Sequence, residues 1–480
     1  MANNVNQSVF TVKGFKESFS KVEYIFLYLG ILFGLLFVFY NPPFQTNDED
    51  RHFYLAWQVS NFQFFAKANE AEQKVGCEIP KNLYGTVNNF QGISFASKQK
   101  ITKDMMENAK AVPLNSDDKM FINHFHPATT PFGFIPAAIG IDFARIFSCG
   151  PIWIGWWARI FALASYLAII FFAIRITPIM KVGFMLYALT PMALFQGASV
   201  TYDTISNASS LLLVAYMLYF AFDKKSELGN REFLFMLLLI FLHEFAKHGY
   251  LFIAFMFLLI PYERIKITYF NQKVFTGLMF VYAAVVYKLA DFMFSALVPD
   301  FSHIKQPVFQ NDFYFSVAEN TSYWLTRPIE LVAILIKNFL NFRHEWIGGV
   351  IGRFGYSYTA LPKEYYFMHG LVLISVAFMD NRKDIKIATW QKAILFFIVL
   401  FDAGALIFQF LLTSPVGAQM IFGFQGRYLV QLVPVLMLLF YQNKISIQEW
   451  DKNKLMVVAV YIIFALIYAV TWMDERFFTL

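Results

Sequence analysis

The stretch Tyr40-Asn-Pro-Pro-Phe-Gln-Thr-Asn-Asp-Glu-Asp-Arg-His-Phe-Tyr-Leu-Ala-Trp57 begins where the first long apolar run, 22–40, ends. Its two prolines stop a helix and turn the chain. Three carboxylates follow, Asp48, Glu49 and Asp50, and the apolar residues after them can lie on a membrane surface. Because carboxylates are costly to keep near hydrocarbon, these three are candidates for function. A hydrated acidic loop is the alternative.

The composition is typical of a polytopic membrane protein. Of the 480 residues, 58% are hydrophobic, 19% aromatic and only 15% charged, whereas soluble domains are roughly a quarter charged. Several apolar runs reach the ~18 residues that suggest a membrane span. The net charge of +6 lies in short clusters between these runs. Such clusters orient a membrane protein, so we expect no nucleic-acid partner.

The apolar runs predict an all-α bundle of about eleven transmembrane helices. The predicted helices are 22–40, 151–174, 181–198, 205–222, 233–245, 247–260, 274–298, 364–380, 393–412, 427–442 and 455–473. We interpret the first as a retained helix, because residues 1–21 are polar and no small-residue cleavage site follows. The polar residues 243–248 shorten the two helices beside them, which are expected to tilt or to bend near the interface.

Lysine and arginine clusters predict the orientation of this bundle. With about eleven spans, the clusters all fall on one side, which the positive-inside rule assigns to the cytoplasm. They lie at 13–21, 175–181, 224–231, 264–273, 382–386 and 444–454. The acidic stretch and the other polar residues of interest fall on the opposite side. We therefore expect a cytoplasmic N-terminus and a site that faces outward.

Two long segments, 41–150 and 299–362, are predicted to form outer loops of one membrane domain that comprises residues 1–480. The first is too long to lack structure of its own. Its apolar part, 127–140, is interrupted by prolines, which favours a re-entrant or interfacial helix. The second loop contains a predicted amphipathic helix at 328–341. We find no internal repeat that would indicate an inverted-repeat transporter.

Cys77 and Cys149 are the only cysteines. They are too few and too far apart for a zinc ribbon or a CxxC redox motif. Both fall on the predicted outer side, where a disulfide between them is the alternative to the expected pair of unpaired thiols.

Asp48 and Glu49 are the candidate catalytic residues. Adjacent carboxylates at a membrane surface can act as a general base, and they can hold a divalent cation such as Mg²⁺ or Mn²⁺, which prefers oxygen ligands. Alternatively, Asn47 or Asp48 caps the helix that follows. Both roles are compatible with each other.

Arg427 lies in the glycine-rich stretch Phe422-Gly-Phe-Gln-Gly-Arg-Tyr428, directly before a predicted helix. Arginine binds phosphate through two N–H groups at once, and the free amides of a helix N-terminus add to the attraction. The alternative is an arginine that reaches toward lipid headgroups.

Lys247 and His248 interrupt an apolar hairpin, where an unpaired ammonium is costly. Lys247 is expected either to pair with Glu244, three residues earlier, or to bind an anionic lipid headgroup. Asp203 either caps the helix that follows it or lines the site.

Two further signals are weaker. His124 and His126 alternate as metal ligands on a strand do, but no third ligand is evident. Arg343 and Arg353 lie in a glycine-rich outer stretch, which is consistent with a pocket for sugar or phosphate.

Several of these pieces resemble the bacterial multi-pass membrane family called domain of unknown function 2142, which is similar to the GT-C glycosyltransferases. The first block of that family, a proline-rich turn with an Asp-Glu pair and a nearby histidine, corresponds here to Pro42-Pro43, Asp48-Glu49 and His52-Phe53. The later blocks correspond to His126-Pro127, to Thr190-Pro-Met-Ala-Leu-Phe-Gln-Gly-Ala-Ser199 followed by Asp203, to Gly352-Arg-Phe-Gly-Tyr356 with Leu361-Pro362, and to Gln425-Gly-Arg-Tyr428 ahead of Pro434. These blocks occur in order along nearly the whole chain.

The resemblance implies a GT-C-like bundle in the bacterial inner (plasma) membrane. It implies transfer of a sugar from a polyprenyl-phosphate donor to a glycan, lipid or polymer acceptor on the outer face. By that analogy Asp48 deprotonates the acceptor hydroxyl, Glu49 assists it or holds a cation, and Arg427 binds the donor phosphate. The other residues assigned to substrate binding are Lys247, His248, Asp203, His52, His126, Arg343, Arg353, Gln425 and Tyr428.

Two other classes of function remain open. A flippase or transporter of lipid-linked glycans also needs cations for phosphate, but it requires charged residues along a path through the bilayer, and most of the predicted spans are uniformly apolar. An assembly or scaffold subunit without activity would leave Asp48 replaceable.

Overall fold

The computed structural model describes residues 20–123, 131–269, 271–295, 316–356, 359–443 and 450–478, and it is mostly helical. In chain order the α-helices are α1 (Val22–Tyr40), α2 (Glu49–Ser60), α3 (Lys81–Gln91), α4 (Lys103–Ala111), α5 (Ile135–Ile146), α6 (Pro151–Ile176), α7 (Lys181–Ala188), α8 (Pro191–Gly197), α9 (Asp203–Phe222), α10 (Asn230–Ala246), α11 (Gln272–Ser295), α12 (Val317–Leu325), α13 (Pro328–Ile351), α14 (Lys363–Met379), α15 (Thr389–Leu412), α16 (Val433–Leu439) and α17 (Lys452–Phe477). Short 3₁₀-helices occupy Gly92–Phe95, Leu251–Leu259, Tyr262–Arg264 and Gly426–Leu432.

Within the described residues, six helices are long and apolar enough to cross a membrane. They are α1, α6, α9, α15, α17 and the part of α11 from Lys273 to Met293. Six of the predicted spans are thus confirmed as helices of sufficient length and hydrophobicity. The structure does not confirm the count of about eleven, which the positive-inside rule had favoured. Helices α10 and α14 have 17 residues each, and ~20 are needed for an upright crossing.

Three predicted helices are interrupted. The segment predicted at 181–198 is divided into α7 and α8, because Pro191 has no N–H and forces Thr190 out of the helical region. The segment predicted at 247–260 begins with extended Lys247 and with Gly249 at φ +113°, and it continues as a 3₁₀-helix. The segment predicted at 427–442 is also 3₁₀ as far as Leu432.

The first long segment contains a small sheet that the all-α prediction missed. Strands β1 (Lys67–Asn69), β2 (Lys74–Pro80) and β3 (Lys119–Asn123) are antiparallel in the order β1-β2-β3. In their register Cys77 lies opposite Ile122. Both Cys77 and Cys149 are free thiols, so the disulfide alternative is wrong for these described residues. Burial raises the pKa of the Cys77 thiol to about 12.

Helix α9 lies at the centre of the bundle. It packs against α6, α10 and the 3₁₀-helix at 251–259. Of its most apolar window 78% is buried, a larger share than in the other five long helices. Helix α6 in turn contacts α1 and α5. The first residue of α9 is therefore held in a position that lipid does not reach.

One end of the bundle joins the first long segment to the end of α17. The Arg476 guanidinium donates to the carbonyl oxygens of Ile93, Ala96 and Gln99, at 3.0–3.1 Å. The Ile101 N–H donates to the Phe477 carbonyl oxygen at 2.7 Å. The C-terminal end of α17 therefore lies at the same end of the bundle as residues 41–123.

Another set of contacts joins segments that carry the basic clusters. The Asp380 carboxylate accepts the Gly183 N–H at 2.8 Å and the Trp450 indole N–H at 2.9 Å. The N–H of Leu228 donates to the Arg264 carbonyl oxygen at 2.8 Å. Turns that are predicted to be cytoplasmic thus contact one another in these two places.

Helices α1 and α6 pack closely because α1 presents two glycines one turn apart. A Cβ on Gly30 would lie 2.5 Å from Leu167 Cδ2, and a Cβ on Gly34 would lie 2.6 Å from Leu163 Cδ1. Small residues with this spacing let membrane helices approach each other closely. The approach holds the end of α1, and the acidic stretch after it, beside α6.

We expect Gly34→Val to lower the thermal unfolding temperature in detergent, since overpacking a well-filled contact costs about 1–3 kcal/mol. Gly277→Val is the matched control. Gly277 lies in another membrane helix, α11, and a Cβ at this position would have no neighbouring atom within 4 Å. Equal unfolding temperatures for the two variants would contradict close packing of α1 on α6.

Candidate functional site

Glu49 is bound by an arginine that the sequence analysis did not single out. Arg159 on α6 donates from Nε to Glu49 Oε1 at 2.7 Å and from Nη2 to Oε2 at 2.5 Å. The Glu49 carboxylate also accepts the N–H groups of Val200 at 3.1 Å and Thr46 at 3.3 Å. Glu49 and Arg159 are only 1% and 2% exposed. Both oxygens of Glu49 are therefore occupied by the protein itself.

The remaining N–H groups of Arg159 bind the turn that follows α1. They donate to the carbonyl oxygens of Val38 at 3.0 Å, Asn41 at 2.6 Å and Pro42 at 2.8 Å. These carbonyls lie at the end of α1, where helical partners are missing. One buried guanidinium thus connects the end of α1, the proline turn and the start of α2.

Asp48 points to a different arginine. Its backbone is left-handed, with φ 60°, a conformation that Asp adopts more readily than most residues. Arg427 Nη2 donates to Asp48 Oδ2 at 2.5 Å, and Arg427 Nη1 donates to the Asn47 carbonyl at 3.0 Å. The Tyr356 hydroxyl donates to Asp48 Oδ1 at 3.0 Å and accepts the Asp48 N–H at 2.9 Å. The Asp48 side chain does not cap α2, so the capping alternative is wrong.

The pKa of Asp48 reflects these contacts. Burial is the largest single effect and raises the pKa of Asp48, but the charges of Arg427 and His52 and the hydrogen bonds from Tyr356 and Arg427 jointly outweigh it. Together they lower the pKa of Asp48 to about 2. The side chain is still 30% exposed, so a ligand can reach it.

Arg427 continues into a second ion pair. Its Nη1 lies 3.9 Å from Asp203 Oδ2, and Lys247 Nζ lies 2.5 Å from Asp203 Oδ1. Gln196 donates to Asp203 Oδ2 at 2.9 Å. Asp203 is 2% exposed at the start of α9, so it lines the site. The order Asp48, Arg427, Asp203, Lys247 alternates in charge, which satisfies each buried group.

Lys247 also lies among three aromatic rings. Its ammonium is 4.5 Å from the ring centroid of Tyr428, 4.9 Å from that of Tyr202 and 5.5 Å from that of Tyr250. Such rings attract a cation through their electron-rich faces. The His52 ring lies 4.5 Å from the Tyr202 ring, which brings His52 into the same cluster.

The expected pair of Lys247 with Glu244 is wrong. Glu244 instead binds His248, whose Nδ1 lies 2.5 Å from Glu244 Oε1. This happens because the chain turns to extended backbone at Lys247, so the lysine leaves the helical face that it would share with Glu244. His248 thus pairs with Glu244 of α10.

A cavity of about 240 Å³ lies beside Arg427. Its walls include Glu345, Trp346, Arg353, Gln425 and Arg427. It is connected to the acidic stretch through the Asn47 amide, which donates to Gln425 Oε1 at 2.8 Å.

The backbone before Arg427 packs directly against α13. A Cβ on Gly426 would lie 1.9 Å from the Trp346 carbonyl oxygen, so only glycine allows this approach. The contact positions the first turn of the 3₁₀-helix, which carries Arg427, against the cavity wall.

The structure brings together most of the predicted site residues. Asp48, Arg427, Asp203, Lys247, His52 and Tyr428 form one cluster, while Gln425 and Arg353 line the adjoining cavity. Arg343 is not part of either, because it is exposed on α13 and donates to the Leu340 carbonyl one turn away. His124 and His126 lie outside the described residues.

Glu49 and Asp48 do not form a joint cation site in this geometry, since each faces its own arginine. Within the described ranges no group of three or more His, Cys, Asp or Glu side chains could hold a metal ion.

Sequence reasoning missed Arg159, Tyr356 and two of the tyrosines around Lys247. A signal for Arg159 exists, because an arginine nine residues into a 26-residue apolar helix is costly unless it has partners. The tyrosines carry no such signal in a chain with 25 of them.

Comparison with family models gives a match over residues 31–439, to the family described as Predicted membrane protein (DUF2142). The matched range includes every member of the ion-pair cluster. No curated protein matches the chain, and no solved structure matches it.

We expect Arg159→Gln to destabilise the protein strongly, because removal of one partner of a buried ion pair costs about 3–5 kcal/mol. Thermal unfolding in detergent and the yield of folded protein measure the loss. Arg382→Gln is the control, since its pair with Asp384 is about half exposed, at 53% and 45%. A similar unfolding temperature for both variants would show that the Glu49 pair does not hold the turn.

Proposed function

The chain belongs to this family of predicted membrane proteins, and we propose that it is an integral membrane glycosyltransferase of the GT-C type. It transfers a sugar from a polyprenyl-phosphate donor to an acceptor glycan, lipid or polymer on the outer face of the membrane. The observation that carries the proposal is the accessible carboxylate of Asp48, held 2.5 Å from the buried guanidinium of Arg427. A base beside a phosphate-binding cation is what this reaction requires.

The proposed reaction assigns one role to each group. Asp48 removes the proton of the acceptor hydroxyl, and the acceptor oxygen attacks the anomeric carbon of the donor sugar. The bond from that carbon to the phosphate oxygen breaks, and polyprenyl phosphate leaves with the electron pair. Arg427 and Lys247 stabilise the charge that develops on the phosphate. His52, Asp203 and Tyr428 position these cations.

Donor binding also activates the base in this proposal. A carboxylate paired with a guanidinium is a weak base. The donor phosphate competes with Asp48 for Arg427, and the pKa of Asp48 rises toward its usual range once the guanidinium turns to the phosphate. Asp48 thus becomes an effective base only after the donor has bound.

In this proposal Glu49 neither assists the base nor holds a cation. Four N–H groups from Arg159, Val200 and Thr46 occupy its carboxylate. We therefore assign it to holding the catalytic turn, and the proposed reaction needs no divalent cation at this pair.

The orientation is supported by two observations. The basic clusters favour the cytoplasm for the turns around Gly183 and Asp380, which contact each other. The start of the first long segment and the end of α17 lie at the other end of the bundle. Because the end of α1 and the end of α17 lie on the same side, the chain crosses the membrane an even number of times between them. Together with α1 this agrees with about eleven spans in total, of which the shorter helices α10 and α14 supply two. We propose that the chain lies in a bacterial inner (plasma) membrane, with bilayer lipid around the spans.

Transport of lipid-linked glycans is the second candidate function. It is favoured by Asp402, which is fully buried at 0% exposure within the long helix α15. Carboxylates inside a membrane span often mark a translocation path. However, Asp402 accepts the Phe252 N–H at 3.0 Å, which gives it a structural role at the start of the 3₁₀-helix.

We expect Asp48→Asn to abolish sugar transfer but to keep donor binding. Loss of a general base lowers turnover by about 10²–10⁴-fold, while removal of the competing carboxylate leaves Arg427 more available to the phosphate. Purified protein would be assayed for transfer from polyprenyl-phosphate sugars, with donor binding followed in parallel.

Two variants complete this test. Asp104→Asn, an exposed acid on α4, is the control and keeps wild-type turnover. Arg427→Gln is the converse, because loss of a charged hydrogen bond should weaken donor binding by roughly 10–100-fold. Full turnover by Asp48→Asn would exclude Asp48 as the base. Movement of lipid-linked sugar between leaflets, without transfer by the wild type, would favour the transporter.

The pH dependence provides a separate test of base activation. The acid limb of kcat/KM for the donor reports the free enzyme, where the pKa of Asp48 is about 2. The acid limb of kcat reports the enzyme with bound substrate. We expect the acid limb of kcat to lie at a higher pH than that of kcat/KM, because bound phosphate draws Arg427 away from Asp48 and so raises the pKa of Asp48. Coincident limbs would argue against competition between the donor and Asp48.

A further inference from the structure

The cavity beside Arg427 has the dimensions of a subsite for a small group. Helix α13 supplies one wall with Glu345 and Trp346, and the segment before the 3₁₀-helix supplies another with Phe424 and Gln425. At about 240 Å³ it is smaller than the ~300–1,000 Å³ of sites for drug-sized ligands. A single ring fits such a volume better than a chain of rings.

Its walls combine donors, acceptors and aromatic surface. Arg353 and Arg427 donate, while Glu345 accepts, and the Trp346 ring lies 4.7 Å from the ring of Phe424. Arg427 Nε is buried and has no hydrogen-bond partner among the described residues. A buried N–H without a partner is costly, so a ligand that accepts from it gains binding energy.

Glu345 and Arg353 are available to a ligand. Their closest charged atoms are 3.9 Å apart, and their side chains are 46% and 26% exposed. An exposed pair at this distance contributes little to stability. A ligand can therefore take hydrogen bonds from both without a large loss of protein–protein energy.

We propose that this cavity binds one neutral sugar ring of the acceptor, with Glu345 and Arg353 on its hydroxyl groups and Arg427 Nε on one of its oxygens. Sugar hydroxyls both donate and accept, which matches a carboxylate beside two guanidinium groups. Glu345 would oppose the binding of a phosphate or carboxylate ligand, which the two guanidinium groups alone would attract. The identification of this ring with the acceptor rests on the proposed transferase function, whereas binding of a sugar ring does not.

The location suits an acceptor. Arg427 contributes to the cavity wall and also binds Asp48. Asn47, next to Asp48 in the chain, donates to Gln425 of the cavity wall. A ring in the cavity therefore lies beside the guanidinium that binds the proposed base.

Ligand-observed NMR on the full chain in lipid nanodiscs tests the assignment without a donor. The probes are the methyl glycosides of glucose, galactose, mannose and N-acetylglucosamine, together with inorganic phosphate. Glu345→Gln and Arg353→Gln remove one cavity group each. Glu330→Gln is the matched control, because Glu330 is an exposed acid on the same helix, 62% exposed and outside the cavity.

We expect at least one glycoside to bind the wild type and Glu330→Gln equally. Its affinity should fall roughly 10–100-fold in Glu345→Gln, as loss of a charged hydrogen bond predicts. The assignment is overturned if no glycoside binds at the highest soluble concentration. Phosphate binding that Arg353→Gln weakens, in the absence of glycoside binding, would identify an anion site instead.

The two proposals fail separately. Glycoside binding with the expected mutant pattern, in a protein that transfers no sugar, supports the sugar subsite and removes its link to a transferase. Sugar transfer by wild type and Glu345→Gln with equal KM for the acceptor overturns the subsite and leaves Asp48 as the proposed base.

Discussion

The buried pair of Glu49 with Arg159 is the interaction on which the geometry of the site depends. Arg159 offers five N–H donors, and the structure pairs them with one carboxylate and three carbonyl oxygens at the end of α1. Ions are costly to bury unless all their hydrogen bonds are made, and here they are. The proline turn, which has few backbone hydrogen bonds of its own, is hydrogen-bonded to α6 through this side chain. Because Asp48 directly precedes Glu49 in the chain, these hydrogen bonds also fix the position of Asp48.

The neighbouring carboxylates of Asp48 and Glu49 thus pair with different arginines. Asp48 and Glu49 are consecutive, but the left-handed backbone of Asp48 sends its side chain toward Arg427 while Glu49 turns toward Arg159. The Asp48 side chain is partly exposed, whereas the Glu49 side chain is buried. In the cluster around Arg427, two carboxylates already neutralise two cations, so an anionic ligand enters only by replacing one of them. Under the proposed function, selectivity for phosphate arises from this competition and not from an excess of positive charge.

The sequence predicted those features that depend on the energetic cost of placing a charged group beside an apolar run. The limits of α1 and the choice of Asp48, Arg427 and Lys247, which the structure brings into one cluster, all follow from charged groups beside apolar runs. Partner identity does not follow, because it depends on contacts across the bundle: Lys247 pairs with Asp203, 44 residues away, and not with its near neighbour Glu244. The division of labour between Asp48 and Glu49 was equally invisible, since one backbone angle decides it. The small sheet was missed because its strands are short and partly polar.

The distance along the chain between Asp48 and its arginine has a consequence for biogenesis. The two residues are 379 positions apart, and domains of membrane proteins, like others, are made from the N-terminus onward. During synthesis Glu49 can meet Arg159 early, after α6 has been inserted, and Asp203 can meet Lys247 soon afterwards. Asp48 has no cationic partner until the 3₁₀-helix that carries Arg427 has been placed. A nascent chain therefore forms the contacts that hold the proline turn long before it can form the ion pair of Asp48 with Arg427.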